Sequence, residues 1–475
     1  MDIQIILSKL LPIALIALVL ALVLIGVTYV SYKIYRKRGG SKAVTKIQFV
    51  TIFLLLGWFV VVMVLTFFSR GENFEGWVNF QLFSGYVNAW NQWSLSEWQL
   101  IIFNMLMFAP LGFLLPLLSQ KTRRFLPVFI LSLLVTLGVE SFQMVSRRGI
   151  FELDDILHNT LGSISGFLLM SLILDSVERR KVSVKSLVKA LAIPLAFVLL
   201  FTGGMVVYHS KEFGNLSIRP AITQNMNQVE VVLNTDLPED AEPVSLYFNS
   251  QIHNRIYGKE MARLMGRSFD LLQKGGMGIE GHNRIWSFRD NEQNDYYFNY
   301  SLHDGGWWLL AEGVDIMPLE GEELSKQRDF YESWMLTNGL LPQNTRFELQ
   351  SEDTLRWEIT RSVTDIARED LDFAEGVIML KPSLEHQIPQ DLYYFMNENK
   401  FVRKVDIISP VQAYDEIVKG NFYTFNKMSK GDQLNVKQYE LAYTYDSKGY
   451  YQPVYKFIGT VNGEPWETFI PALRN

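Results

Sequence analysis

The 475-residue chain contains no cysteine, which removes disulfide frameworks, thiolate nucleophiles and cysteine-ligated metals together. Histidine is scarce too: the residues at 158, 209, 253, 282, 303 and 386 show no metal-ligand spacing. His158 beside Asp154 and Asp155 is the one pairing of interest, and it reads better as part of a polar cluster than as a metal site. There is no P-loop, no Gly-x-Ser-x-Gly elbow and no dinucleotide fingerprint, so no cofactor is expected. Asp295, Asp304 and Glu312 sit among strands and turns, where solvated faces explain them. The formal net charge of -6, without a basic groove pattern, argues against nucleic-acid binding.

Apolar residues are gathered before about position 208. A bilayer core needs about 20 mostly apolar residues per helix, and six such segments run near 10–32, 47–68, 98–118, 125–146, 156–176 and 187–208. Only Lys9 precedes the first, its charge follows rather than leads, and it exceeds a signal peptide's apolar core, so it reads as an anchor. Basic residues follow the first segment (Lys33, Arg36, Lys37, Arg38, Lys42, Lys46), the third (Lys121, Arg123, Arg124) and the fifth (Arg179, Arg180, Lys181, Lys185, Lys189). Those loops are therefore expected in the cytoplasm, and residues 69–97, 147–155 and everything after about 209 outside. Arg147 and Arg148 break the charge rule, which suggests acidic partners or an anionic ligand.

Polar residues inside such segments are costly without a partner, water or ligand. On the third, Asn104, Phe108, Leu111 and Leu115 share a helical face, while Pro110 and Gly112 permit a kink and free backbone groups. On the fourth, Glu140, Gln143 and Arg147 recur at i, i+3 and i+7 as a polar stripe. Asp154 and Asp155 open the fifth, where a helix N-terminus favours carboxylates. Asp155, Asn159, Gly162 and Gly166 share a face, and Gly162-Ser-Ile-Ser-Gly166 is a small-xxx-small pattern for close helix contact. If the fourth and fifth helices pair, Glu140, Gln143, Arg147, Asp155 and Asn159 converge. The aromatic segment with Trp77, Phe80, Phe83, Tyr86, Trp90, Trp93 and Trp98 suits a headgroup layer, as an interfacial helix or a lipid-binding lip.

The Asn104-to-Pro116 run, Glu140-x-x-Gln143, Arg147, Asp154-Asp155 and Asn159-Thr-Leu-Gly162, in that order, resemble the VanZ-like family of bacterial membrane proteins over roughly residues 75–176. Ala109 between Phe108 and Pro110 is a small departure from the family pattern. The family takes its name from a protein associated with low-level teicoplanin resistance. The resemblance implies a multi-pass protein of a Gram-positive cell envelope, with membrane lipids as neighbours.

After about 209 the period changes. Residues 228–233, 244–248, 285–288, 296–302 and 307–312 read as strands, and 259–273, 322–337 and 410–418 as amphipathic helices, with Gly339 to Pro342 ending one. Residues 408–420, 441–445 and 451–457 resemble exported YycH/YycI-type and PepSY-like domains, which are regulatory binding modules without known catalysis.

The expected architecture is an α-helical membrane bundle of six helices plus an extracellular α+β region. Its divisions are 1–70, a VanZ-like domain at 71–178, a sixth helix at 179–208, and 209–475, long enough for one large domain or tandem modules. Three functions fit. In the first, Asn104, Glu140, Gln143, Arg147, Asp154, Asp155 and Asn159 bind an amphiphile such as a lipoglycopeptide or lipid-linked wall precursor and alter teicoplanin susceptibility. In the second, the C-terminal region senses an envelope protein. The third is an enzyme using Glu140 and Asp155 on a lipid headgroup or lipid-linked phosphate.

Overall fold

The computed structural model describes residues 19, 22–41, 43–68, 78–312, 321–351, 354–382, 388–424 and 427–474. Residues 10–18, 20 and 21 of the first expected span lie outside these residues, as does Trp77; the described residues 22–37 are helical. Among the described residues, five helical stretches are long and apolar enough to cross a membrane: Lys46–Thr66, Leu95–Leu117, Phe125–Val145, Leu153–Arg179 and Val184–Ser210. The helices are α1 (Lys46–Met63), α2 (Ser84–Gln92), α3 (Leu95–Leu114), α4 (Phe125–Val145), α5 (Leu153–Arg179) and α6 (Val184–Ser210). Two compact units divide the chain near residue 211.

In the N-terminal unit, Thr45 and Gln48 form a reciprocal capping box that starts α1. The Gln48 side chain also donates to the Leu118 carbonyl (2.7 Å), and Arg123 pairs with Glu178 (3.2 Å). The start of α1, the 118–123 turn and the end of α5 therefore lie at one end of the bundle. At the other end, β1 (Val78–Asn79) pairs in parallel with β2 (Phe151–Glu152).

Glycine sets how closely α3 and α5 approach. A Cβ at Gly162 would collide with the Met105 carbonyl, at Gly166 with that of Ala109, and at Gly112 with that of Ser163. The small-xxx-small face of α5 thus lies on α3, the helix it runs parallel to. Around it, Val62, Phe108, Leu111, Leu115, Val128, Val139 and Phe167 form the apolar core. Pro110 is absorbed within α3, and the Trp58 indole donates to the neighbouring Met107 carbonyl (2.6 Å).

The unit over 212–475 is a mixed sheet structure with two apolar cores. The strands are β3 (Glu230–Leu233), β4 (Val244–Phe248), β5 (Leu272–Glu280), β6 (Asn283–Arg289), β7 (Asp295–Ser301), β8 (Trp307–Glu312), β9 (Arg346–Ser351), β10 (Thr354–Ile359), β11 (Phe373–Lys381), β12 (Asp391–Val405), β13 (Gln433–Tyr445), β14 (Tyr450–Val461) and β15 (Glu464–Pro471). The fifteen-residue β12 joins the two parts, pairing with β8 and β11 through its first half and with β4 through its second. Helices α7 (Arg255–Ser268) and α8 (Gly321–Thr337) contribute Ala262, Met265, Tyr331 and Met335 to one core, beside Trp286, Phe298 and Trp357. Helix α10 (Pro410–Val418), which follows the short α9 (Val363–Arg368), supplies Ala413 and Ile417 to the other.

The helix expected over 259–273 stops earlier: Asp270 takes φ 50°, Leu271 bonds back to the Gly266 carbonyl, and Leu272 opens β5. Gly339 does end α8. Its φ of +68° lets the Leu340 amide reach the Met335 carbonyl (2.8 Å), as a Schellman cap requires.

Candidate functional site

The two aspartates that open α5 have separate jobs. Asp155 accepts from the Asn104 amide (2.5 Å) and ties α5 to α3. Buried Asp154 instead accepts the amides of Phe83 (2.6 Å) and Gly85 (2.7 Å) and the Ser84 hydroxyl (3.3 Å). It caps α2 rather than its own helix. Phe83 at φ 68° supplies the turn that aims these amides at one carboxylate.

One turn into α5, buried His158 meets Tyr86 of α2, with Nε2 to hydroxyl at 2.9 Å. Burial, with the negative Asp154 nearby, pushes the Tyr86 phenol up to about 12, so it remains a neutral hydrogen-bonding group. Its ring is walled by Phe83, Trp98 and Phe197 at 5.9, 6.1 and 6.4 Å. No sequence signal joins Tyr86 to His158 across 72 positions.

The polar stripe on α4 is fully inside: Ser132, Thr136, Glu140 and Gln143 are each no more than 2% exposed. Ser132 and Ser163 share a hydrogen bond (2.6 Å) between α4 and α5. Asn159 and Thr160 of α5 are buried as well. Arg147 does not join them. The helix ends at Val145, Arg147 turns to φ 56°, its amide closes on the Met144 carbonyl (3.1 Å), and its side chain is exposed. The i+7 spacing failed because helical periodicity stops before it. Five buried atoms on α4 and α5, Thr136 Oγ1, Gln143 Oε1, His158 Nδ1, Asn159 Oδ1 and Thr160 Oγ1, have no hydrogen-bond partner.

A rim lies beside β1 and β2. Phe80, Leu82 and Phe83 are exposed, and Phe80 touches Phe151 edge-on at 6.0 Å. Among the described residues no group of three or more His, Asp or Glu is arranged to hold a metal ion.

Residues 49–174 match the VanZ/LLP1 family model. The family stretch thus begins earlier than the motifs near 75 indicate and takes in α1. No curated protein matches the chain. The C-terminal domain of YpeB from Bacillus megaterium aligns at 14% identity over 47% of this chain and 98% of its own, with TM-score 0.19. An uncharacterised protein from Eubacterium rectale aligns at 9% identity over 51% of this chain and 87% of its own, with TM-score 0.23.

Proposed function

We propose that this VanZ-like multi-pass protein binds the headgroup region of an amphiphile at the rim formed by residues 78–83 and 147–152. The observation that carries this reading is the pairing of exposed apolar side chains, Phe80, Leu82 and Phe83, with exposed Arg147 on the neighbouring segment, both fixed by β1–β2. Apolar rings suit an acyl chain at the headgroup layer, and a guanidinium suits an anionic group. Asp154 and the Tyr86–His158 pair hold the rim in place from below. Asn104, Asp155, Glu140, Gln143 and Asn159 act as the supporting interior.

Orientation follows from charge. The start of α1, the 118–123 turn and the end of α5, which share one end of the bundle, carry Lys46, Lys121, Arg123, Arg124 and Arg179, and on the positive-inside rule that end is cytoplasmic. The rim and residues 212–475 are then extracellular, where a lipid-linked wall precursor or a lipoglycopeptide such as teicoplanin is met.

The test is binding of acylated teicoplanin, against the same glycopeptide without its acyl chain, to full-length protein in nanodiscs, for wild type, Arg147→Ala and Phe80→Ser/Phe83→Ser. Binding that needs both the acyl chain and the rim residues supports the reading. Binding indifferent to all three changes, or absent from wild type while a purified lipid-linked precursor also fails, overturns it.

A further inference from the structure

The C-terminal unit carries a sheet face turned away from its core helices. Along β12, Asp391, Tyr393, Phe395 and Asn397 are half-buried, while Leu392, Tyr394 and Met396 between them are sealed in the core against which α7 and α8 pack. The first set therefore points the other way. Trp308 stands level with Tyr393 in the β8–β12 register and joins that outer face.

Two rings there form a platform. Trp308 and Phe395 lie nearly parallel, with 25° between their planes and 6.2 Å between centroids. Gly306 makes this possible: a Cβ there would collide with the Phe395 ring, so the ring lies over the glycine backbone. Asp304 Oδ1 accepts the Gly306 amide (3.0 Å) and lies 3.3 Å from the same Cβ position, which puts a carboxylate at the edge of the ring. On the next position of β12, Asn249 holds the Asn397 amide (3.0 Å). In the opposite direction, Gln350, Thr354, Met379, Lys381, Asp391 and Tyr393 line a cavity of about 320 Å³. Tyr393 thus links cavity and platform.

Backbone and charge both restrict what this face can hold. Through residues 391–394, β12 pairs with β8 on one side and β11 on the other, so an added peptide strand finds no edge. Lys381 stands opposite Asp391 in the β11–β12 register, Arg356 pairs with Glu348 (3.2 Å) and Glu358 (2.9 Å), and Asp295 takes both Arg289 (2.7 Å) and Lys274 (2.9 Å). Burial raises the half-buried Glu375 carboxyl, level with Asn397, above its usual range, against the Tyr451 hydrogen bond that lowers it. Opposite charges matched in this way favour a neutral ligand over an ionic one.

We propose that this face binds a neutral oligosaccharide of β-linked, all-equatorial pyranose rings. Such a ring shows only C–H groups on its flat sides and carries its hydroxyls around the edge. The C–H side stacks on the electron-rich faces of Trp308 and Phe395, while edge hydroxyls reach Asp304, Asn397 and Tyr393. At about 3.3 Å per residue the row from Asp391 to Asn397 is about 20 Å long, which accommodates more than one ring.

The experiment is saturation-transfer NMR on full-length protein in nanodiscs, with cellotetraose and tetra-N-acetylchitotetraose as probes, α-linked maltotetraose as the shape control, and affinities from titration. Irradiating aromatic protons of wild type is expected to label the ring C–H protons of at least one β-linked probe, which should bind about tenfold more tightly than maltotetraose. Trp308→Leu, which keeps apolar bulk without a π face, and Phe395→Ala should each weaken binding about tenfold. Trp308→Phe retains a ring and should lose less than about threefold. Tyr423→Ala, at an exposed ring elsewhere in the unit, should change nothing. Thermal midpoints identify which variants are folded. No transfer from wild type to either β-linked probe, equal binding of all three sugars, or folded Trp308→Leu that binds as wild type does, overturns the proposal. Neither probe carries an acyl chain, so the outcome is separate from that of the rim.

Discussion

The two units place their unpartnered buried polar atoms differently. In the C-terminal unit, buried Asp446 accepts from the amides of Gly214 (2.6 Å), Lys448 (2.8 Å) and Tyr450 (3.0 Å) and from the Gln452 side chain (2.5 Å). The Lys448 and Tyr450 amides close the turn at 446–450, and the Gly214 amide ties a distant segment to it. Unpartnered groups there include the Trp334 and Trp466 indole N–H groups and Gln251 Oε1. In the membrane unit, among the described residues, unpartnered Thr136 Oγ1, Gln143 Oε1, His158 Nδ1, Asn159 Oδ1 and Thr160 Oγ1 all lie on α4 and α5. A satisfied polar network is a structural device, whereas a buried polar atom left without a partner lowers stability.

The largest effect that would break this contrast is at Asp446. Asp446→Ala strands several buried donors and is expected to cost about 3–5 kcal/mol, seen as a lower denaturation midpoint of the full-length protein. A loss below about 1 kcal/mol would mean the network is ornamental. Next comes the α3–α5 contact: Gly162→Val forces the helices apart against the Met105 carbonyl and should cost about 2–3 kcal/mol, measured as reduced thermal resistance in detergent. Ser165→Ala, whose hydroxyl only bonds the Leu161 carbonyl of its own helix, should be close to neutral in the same assay.

A smaller effect concerns pH. His253 is held down to about 4, by burial first and then by the nearby His303 and His282. The unfolded chain takes up this proton near 6.5 and the folded chain only near 4, so stability of the C-terminal unit should fall as pH drops through that window and be restored above it. Replacing His253 with Gln should flatten the slope between pH 6.5 and 4 in chemical denaturation; an unchanged slope would remove His253 as its source.

Much of this was legible from sequence where local rules agree. Residues 244–248 and 307–312 form strands with the expected bounds, and Pro410–Val418 is a helix because Ser409 and Gln412 make a capping box with Pro410 at its first position. Strand β12 is absent from the sequence-based expectation: polar Asn397, Glu398, Asn399 and Lys400 interrupt its apolar pattern, although its inward face alternates with buried Leu392, Tyr394 and Met396. At the site, the burial of Glu140, Gln143 and Asn159 and the glycine face of α5 follow from helical spacing. The role of Asp154 did not, since it caps a helix that begins 70 positions earlier. Arg147 was misplaced by extending the α4 period past its C-cap.

The most direct test of the contrast compares Thr136→Val/Asn159→Leu with Gln452→Leu in one denaturation experiment on the full-length protein. Thr136→Val/Asn159→Leu is expected to be at least as stable as wild type, because no partner is lost, while Gln452→Leu loses about 2 kcal/mol by depriving Asp446 of a donor. A Thr136→Val/Asn159→Leu variant that loses as much as Gln452→Leu would show that these α4 and α5 oxygens already serve the fold.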